Sequence, residues 1–122
     1  QQLDAPTSPT LHSLAPRHVL MAEQHIRDRA REAPTLSALA SHAGVSVRTL
    51  NAAFREYRQC TPMQALRDAR LAGVRADLLA ARPGARVRDV AEAWGYAQLG
   101  IFAANYRRRF GESPSETLNR RA

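Results

Sequence analysis

A chain of 122 residues with 44% apolar content suffices for one compact domain, or for two very small ones sharing a core. Its 18 basic residues are all arginine and outnumber 11 acids for a formal charge of +7, which points to a polyanionic partner or an anionic surface. No apolar run approaches the roughly 18 residues of a membrane span, and the single cysteine, Cys60, excludes both a disulfide framework and a cysteine-based zinc site.

Residues 1–15 are rich in Pro, Ser, Thr and Gln, lack periodicity and are expected to form a flexible interdomain linker. Gln1 is not a methionine, and the chain is expected to be a fragment whose N-terminal part, with any localisation signal, lies outside it. From Pro16 the pattern turns helical, with Val19, Leu20, Ala22, Ile26 and Ala30 expected on one face and Pro34 as the stop. Thr35 is a fitting N-cap for a short helix with Leu36, Leu39, Ala40 and Ala43 as its apolar stripe. Gly44 stands where a left-handed residue ends that helix, and Ser46 caps the next, about Val47 to Arg58, which should bury Leu50 and Phe54. Thr61-Pro62 opens a long helix to about Ala81, with Met63, Leu66, Val74 and Leu78 inward and Leu71 and Leu79 alongside. Gly73 inside it costs about 1 kcal/mol relative to alanine and suggests a local kink.

After Pro83-Gly84 the same grammar returns. A short helix over Val87–Trp94, a turn at Gly95, a longer helix from about Gln98 to Phe110, Gly111 as its end and Ser113-Pro114 as the start of a last helix carrying Leu118 inward repeat the first copy. Gly44 and Gly95 are 51 residues apart, whereas Phe54 and Tyr106 are 52 apart, so the second turn is one residue longer. The fold expected is all-α, about seven helices, with two homeodomain-like helix-turn-helix subdomains (16–61 and 83–122) joined by a linker helix (62–82).

A short helix, a glycine turn and a second helix form the unit that lays its second helix in the DNA major groove. The charge agrees: residues 1–34 hold four arginines and four acids, so the whole excess lies in 35–122, with 14 arginines and seven acids. A linker helix of about 20 residues spans roughly 30 Å, close to the roughly 34 Å of one duplex turn, so two reading helices in successive major grooves are expected.

The residues of this region carry a family likeness. Ala43-Gly-Val-Ser46-Val-Arg48-Thr-Leu50-Asn-Ala-Ala-Phe54, Thr61-Pro62-Met63 and above all Trp94-Gly-Tyr96…Phe102-Ala-Ala-Asn-Tyr106-Arg-Arg-Arg-Phe110-Gly111-Glu-Ser113-Pro114 resemble the DNA-binding domain of the AraC/XylS family of bacterial transcription regulators. The likeness covers about 70% of the chain, from Thr35 to Leu118, and its Phe-Ala-x-Asn-Tyr-Arg wording is nearest to the XylS side. It implies a cytoplasmic, nucleoid-associated transcription activator that binds promoter or operator DNA. It further implies an effector-binding or dimerisation domain outside this chain and RNA polymerase as a partner.

In the first unit the reading positions are Val47, Arg48, Asn51 and Ala52. Arg48 suits guanine O6/N7 and Asn51 suits adenine N6/N7. Ser46, with the amides at that helix start, and Arg55 suit phosphates. The second unit presents Gln98, Leu99, Gly100, Ile101, Ala103 and Ala104. Leu99 and Ile101 offer only contact to thymine methyls, and Gln98 is the one hydrogen-bonder. Here the sequence-reading residues are Gln98, Leu99, Gly100, Ile101 and Ala104, and Arg86, Arg88, Arg107 and Arg108 are expected on phosphates. This half should hold DNA more than read it. One arginine of the 107–109 run can instead pair with Glu112 or Glu116. Trp94, Phe54, Phe102, Tyr106 and Phe110 sit at core spacing and are read as packing.

His12, His18, His25 and His42 lack metal-ligand spacing, though His18 and His25 fall on one helix face; no metal, cofactor or catalytic set is expected. Cys60 precedes a helix, a place that can lower a thiol pKa, but no histidine partner accompanies it, so an enzyme is not expected. The alternative function is a basic helical module for protein or membrane surfaces with only non-specific DNA affinity.

Overall fold

The first turn of the chain's first described helix closes on Pro16, whose carbonyl accepts from Val19 and Leu20 at 3.0 and 3.2 Å. The computed structural model describes residues 14–120; most of the 1–15 linker therefore lies outside the described residues. Among the described residues there are seven α-helices: α1 Arg17–Arg29, α2 Leu36–Ala43, α3 Val47–Arg58, α4 Pro62–Leu79, α5 Val87–Ala93, α6 Leu99–Phe110 and α7 Pro114–Arg120, with a 3₁₀ turn at Ala30–Glu32. The chain divides into two compact units: the described residues up to Asp28 with Pro34–Ala65, and Arg29–Ala33 with Leu66 onward.

In the first unit, Val19, Ala22 and Ile26 of α1 are buried with Leu39, Ala40 and Ala43 of α2 and Leu50, Ala53 and Phe54 of α3. Each α1 residue follows the last by three or four positions, so one stripe faces inward. Leu20, expected on that stripe, is exposed, because it lies 100° further round the helix than Val19. Arg58, in the last turn of α3, grips Glu23 of α1 through two hydrogen bonds, Nε at 2.5 Å and Nη2 at 3.0 Å. That bond to Glu23, against a smaller opposing effect of burial, raises the Arg58 pKa above its ordinary value. His25 and His42 stack with centroids 4.3 Å apart, so His25 meets a ring on α2 rather than His18 on its own helix.

The second unit packs α5, α6 and α7 on α4. Leu71, Val74, Leu78, Ala91, Phe102 and Tyr106 form its core, with Val87, Val90, Trp94, Tyr96, Leu99, Phe110 and Leu118 around them. The aromatic residues run as a ladder, Tyr96–Phe102, Phe102–Tyr106 and Tyr106–Phe110, at 4.8, 5.9 and 4.7 Å. Beneath it the buried Tyr106 hydroxyl donates to Thr117 at 2.7 Å, Thr117 donates to Glu112, and Arg120 donates to Glu112 at 3.0 Å. Burial is the main cause of a raised Tyr106 pKa.

The linker helix departs from several expectations. Met63 is 40% exposed, Leu79 is equally exposed, and Leu71 belongs to the core proper. The helix runs to Leu79, with the Ala80 and Ala81 amides still bonded to the Ala76 and Leu78 carbonyls, close to the expected end, and it runs unbroken through Gly73. Gly73 is there to admit a neighbour: a Cβ at that position would come within 3.0 Å of three atoms of the Trp94 indole. The ring seated on Gly73 donates its Nε1–H to Asp77 at 2.8 Å, and Arg31 covers its face at 4.3 Å while reaching Asp77 and the Ala93 carbonyl. Arg70 donates to the Trp94 carbonyl and stacks over Tyr96 at 4.4 Å.

Candidate nucleic-acid interface

Both longer helices of the repeated units have 12 residues, and both are entered through a glycine turn, Gly44 at φ 75° and Gly95 at φ 82°. Only glycine adopts that φ without strain, which fixes where each short helix stops. The starts then differ. Ser46 accepts the Thr49 amide at 3.1 Å and donates its hydroxyl to Thr49 Oγ1 at 3.0 Å. Its own proton is thereby engaged, and the Thr49 hydroxyl, unnoticed in the sequence, is the group left to donate outward. Gln98, at the same position in α6, makes no side-chain cap bond, so the first amides of that helix lack this partner. Replacing Ser46 by alanine should lower stability by about 1 kcal/mol, read from urea denaturation; no change would mean that the cap contributes nothing.

In α3, Arg48, Thr49, Ala52, Arg55 and Glu56 are exposed, opposite the buried Leu50, Ala53 and Phe54. Val47 is 36% exposed and Asn51 is half-buried, so Asn51 stands at the margin of this face. Neither Arg48 nor Arg55 has a side-chain partner among the described residues. In α6 the corresponding face is Gly100, Ile101, Ala104, Arg107 and Arg108. Ile101 is 60% exposed, whereas Leu99 is half-buried against the core, which leaves little of it for a thymine methyl. Ala103 is also half-buried, and Gln98 is exposed.

The arginines separate into three kinds. Arg86 and Arg88 are exposed beside and within the first turn of α5, with no partner among the described residues. Arg107 pairs with Glu116 at 3.8 Å, and Arg108 donates to Asn105 at 2.9 Å; both are exposed and weakly held. Arg109 is turned towards α4 and pairs with Asp68 at 3.6 Å. Arg58, Arg31 and Arg70 are tied to the fold by the contacts above. Hydrogen bonds from the Ser113 backbone and hydroxyl hold the Glu116 carboxyl below the usual range. Cys60 is partly exposed in the loop before α4.

Known proteins carry the same architecture. A family model described as a helix-turn-helix domain matches residues 39–120. The "Probable thc operon regulatory protein" of Rhodococcus erythropolis is 38% identical over 104 residues, covering 84% of this chain and 31% of that protein. The "XylDLEGF operon transcriptional activator 3" of Pseudomonas putida is 40% identical over 101 residues, covering 80% and 30%. The chain thus spans under a third of the length of these relatives. A crystal structure of a probable AraC family transcriptional regulator from Rhodopseudomonas palustris superposes with a TM-score of 0.80 at 32% identity, over 87% of this chain and 98% of that one. The family match, the identity to operon regulators and the shared fold agree: the chain belongs to the AraC/XylS family of helix-turn-helix transcriptional regulators.

Proposed function

We propose that this chain is the sequence-specific DNA-binding part of a transcription activator, and that its two copies divide the work. The observation that carries this is the contrast between the two exposed faces: α3 offers the unpaired Arg48, with Asn51 at its margin, whereas α6 offers Gly100, Ile101 and Ala104. Arg48 makes the bidentate contact to a guanine, Asn51 pairs with an adenine, and Val47 and Ala52 line the approach. The second helix touches bases through Gln98, Ile101, Gly100 and Ala104, with Leu99 at the edge, and contributes affinity rather than discrimination. Thr49 and the amides of α3, with Arg55, Arg86, Arg88, Arg107 and Arg108, take the phosphates, while Ser46, its proton engaged by Thr49, holds that hydroxyl in place. The two reading helices enter successive major grooves.

The operon regulators among the relatives support further elements of this reading: an effector-binding or dimerisation domain elsewhere in the intact protein, RNA polymerase as a partner, and action in the cytoplasm at the nucleoid. No described helix is long and apolar enough to cross a membrane. Binding and transcription require no catalytic group, and Cys60 is given none.

Selection of duplexes from a random pool tests the division of labour, and information should concentrate in one half-site. Arg48→Ala should cost roughly 1–3 kcal/mol on the selected duplex and relax selectivity at one base pair. Arg107→Ala should weaken all duplexes about equally. A motif that survives Arg48→Ala unchanged would remove the base-reading role. A wild-type chain that binds every duplex alike would leave the non-specific basic module as the function.

A further inference from the structure

The exposed face of α3 holds one acid, and neither stability nor general affinity accounts for it. Glu56 is exposed and has no side-chain partner among the described residues. The residues three and four positions away are Ala52, Ala53, Gln59 and Cys60, so no helical ion pair is available, and Arg55 beside it in sequence points elsewhere. It stands in the last turn of α3, where the helix dipole disfavours a negative charge. Near a phosphate backbone a carboxylate also lowers affinity for every sequence alike. In the other copy, 52 residues on, the same position carries Arg108, the charge that such a backbone favours.

A carboxylate that is unfavourable in both respects has one use against a duplex. It accepts a hydrogen bond from an exocyclic amino group in the major groove, which cytosine offers through N4. The surroundings suit that use. Arg48, Thr49, Ala52 and Glu56 line one open groove of about 440 Å³, together with His18 and Tyr57. Ala52, between the two charges, has no side chain beyond Cβ and leaves the approach clear. Along the helix axis Glu56 lies about 12 Å from Arg48, which corresponds to three or four base steps of roughly 3.4 Å.

We propose that Glu56 is a specificity-determining residue that selects a cytosine three to four base pairs from the guanine read by Arg48. The proposal rests on the sequence-reading function given to α3. Random-pool selection with the wild-type chain, E56A and E56Q tests it, followed by titration of the winning duplex and its variants at fixed salt. The wild type should enrich cytosine at one such position. E56A should erase that preference, with a loss of about tenfold in discrimination, while keeping the Arg48 position and binding unrelated duplexes somewhat more tightly. E56Q should erase it or move it to adenine, whose N6/N7 edge suits an amide. A wild-type motif without cytosine there, or an E56A motif equal to the wild type with a uniform gain in affinity, would overturn the proposal and reduce Glu56 to backbone repulsion. A wild-type pool with no motif at all would overturn the sequence-reading function itself, and Glu56 with it.

Discussion

Raising the salt from about 50 to about 200 mM is expected to reduce DNA affinity on the order of a thousandfold. The figure follows from the side chains free to meet phosphates. Arg55, Arg86 and Arg88 have no partner among the described residues, and Arg107 and Arg108 hold only weak exposed partners at 3.8 and 2.9 Å. The amides at the start of α3 supply a sixth contact. With about five phosphates neutralised by arginine, log K should fall against log salt with a slope of about −4.5, at roughly −0.9 per phosphate, the uncharged amides adding affinity but no salt dependence. Fluorescence anisotropy of a labelled duplex over a salt series measures it. Removing Arg86 or Arg88 should each flatten the slope by about one. A slope near zero would mean that the arginine excess serves some partner other than nucleic acid.

Gly73→Ala is expected to destabilise the second unit by about 1–3 kcal/mol, although alanine is the better helix former by about 1 kcal/mol. The sign depends on which effect wins. The added methyl would overlap three atoms of the Trp94 ring, and the Gly73 backbone lies inside a continuous helix that cannot step aside. The indole would have to swing out, breaking its bond to Asp77 and its stacking with Arg31. Trp94 is the only tryptophan, so urea denaturation followed by its fluorescence reports the site directly. Stability equal to or above that of the wild type would show that the ring is not seated on Gly73.

Much of this was legible in the sequence because the signals are local. Thr35, Ser46, Thr61 and Ser113 are capping residues whose partners lie three positions on, and each makes the bond that its place implies. Gly44, Gly95 and Gly111 take the left-handed conformation that ends a helix. The seven helices, their caps and the aromatic packing follow from such spacing. What the sequence misplaced depends on neighbours far along the chain. Met63 and Leu79 fit an apolar stripe by periodicity, but each is left 40% exposed, and Gly73 looks like a weak point until Trp94 is set against it. Thr117 carries no periodic or motif signal in the sequence, yet it is fully buried as the relay between Tyr106 and Glu112. On the exposed face of α3, periodicity places Arg48 and Arg55 outward, as the structure has them, but says nothing of Thr49 and Glu56, whose standing depends on which hydroxyls and charges are already engaged.

The turn at Arg29–Ala33 has a consequence for where this domain can be cut. Those five residues, the last of α1 among them, group with the second unit, although the rest of α1 and all of α2 belong to the first. Arg31 in that turn covers the Trp94 ring and reaches Asp77 and the Ala93 carbonyl. The family match begins only at residue 39, beyond both α1 and the turn. A truncated chain starting at that boundary would lose the buried Val19, Ala22 and Ile26 from one unit and the lid over Trp94 from the other. The stretch that makes the domain recognisable is therefore shorter than the stretch over which its two cores are packed.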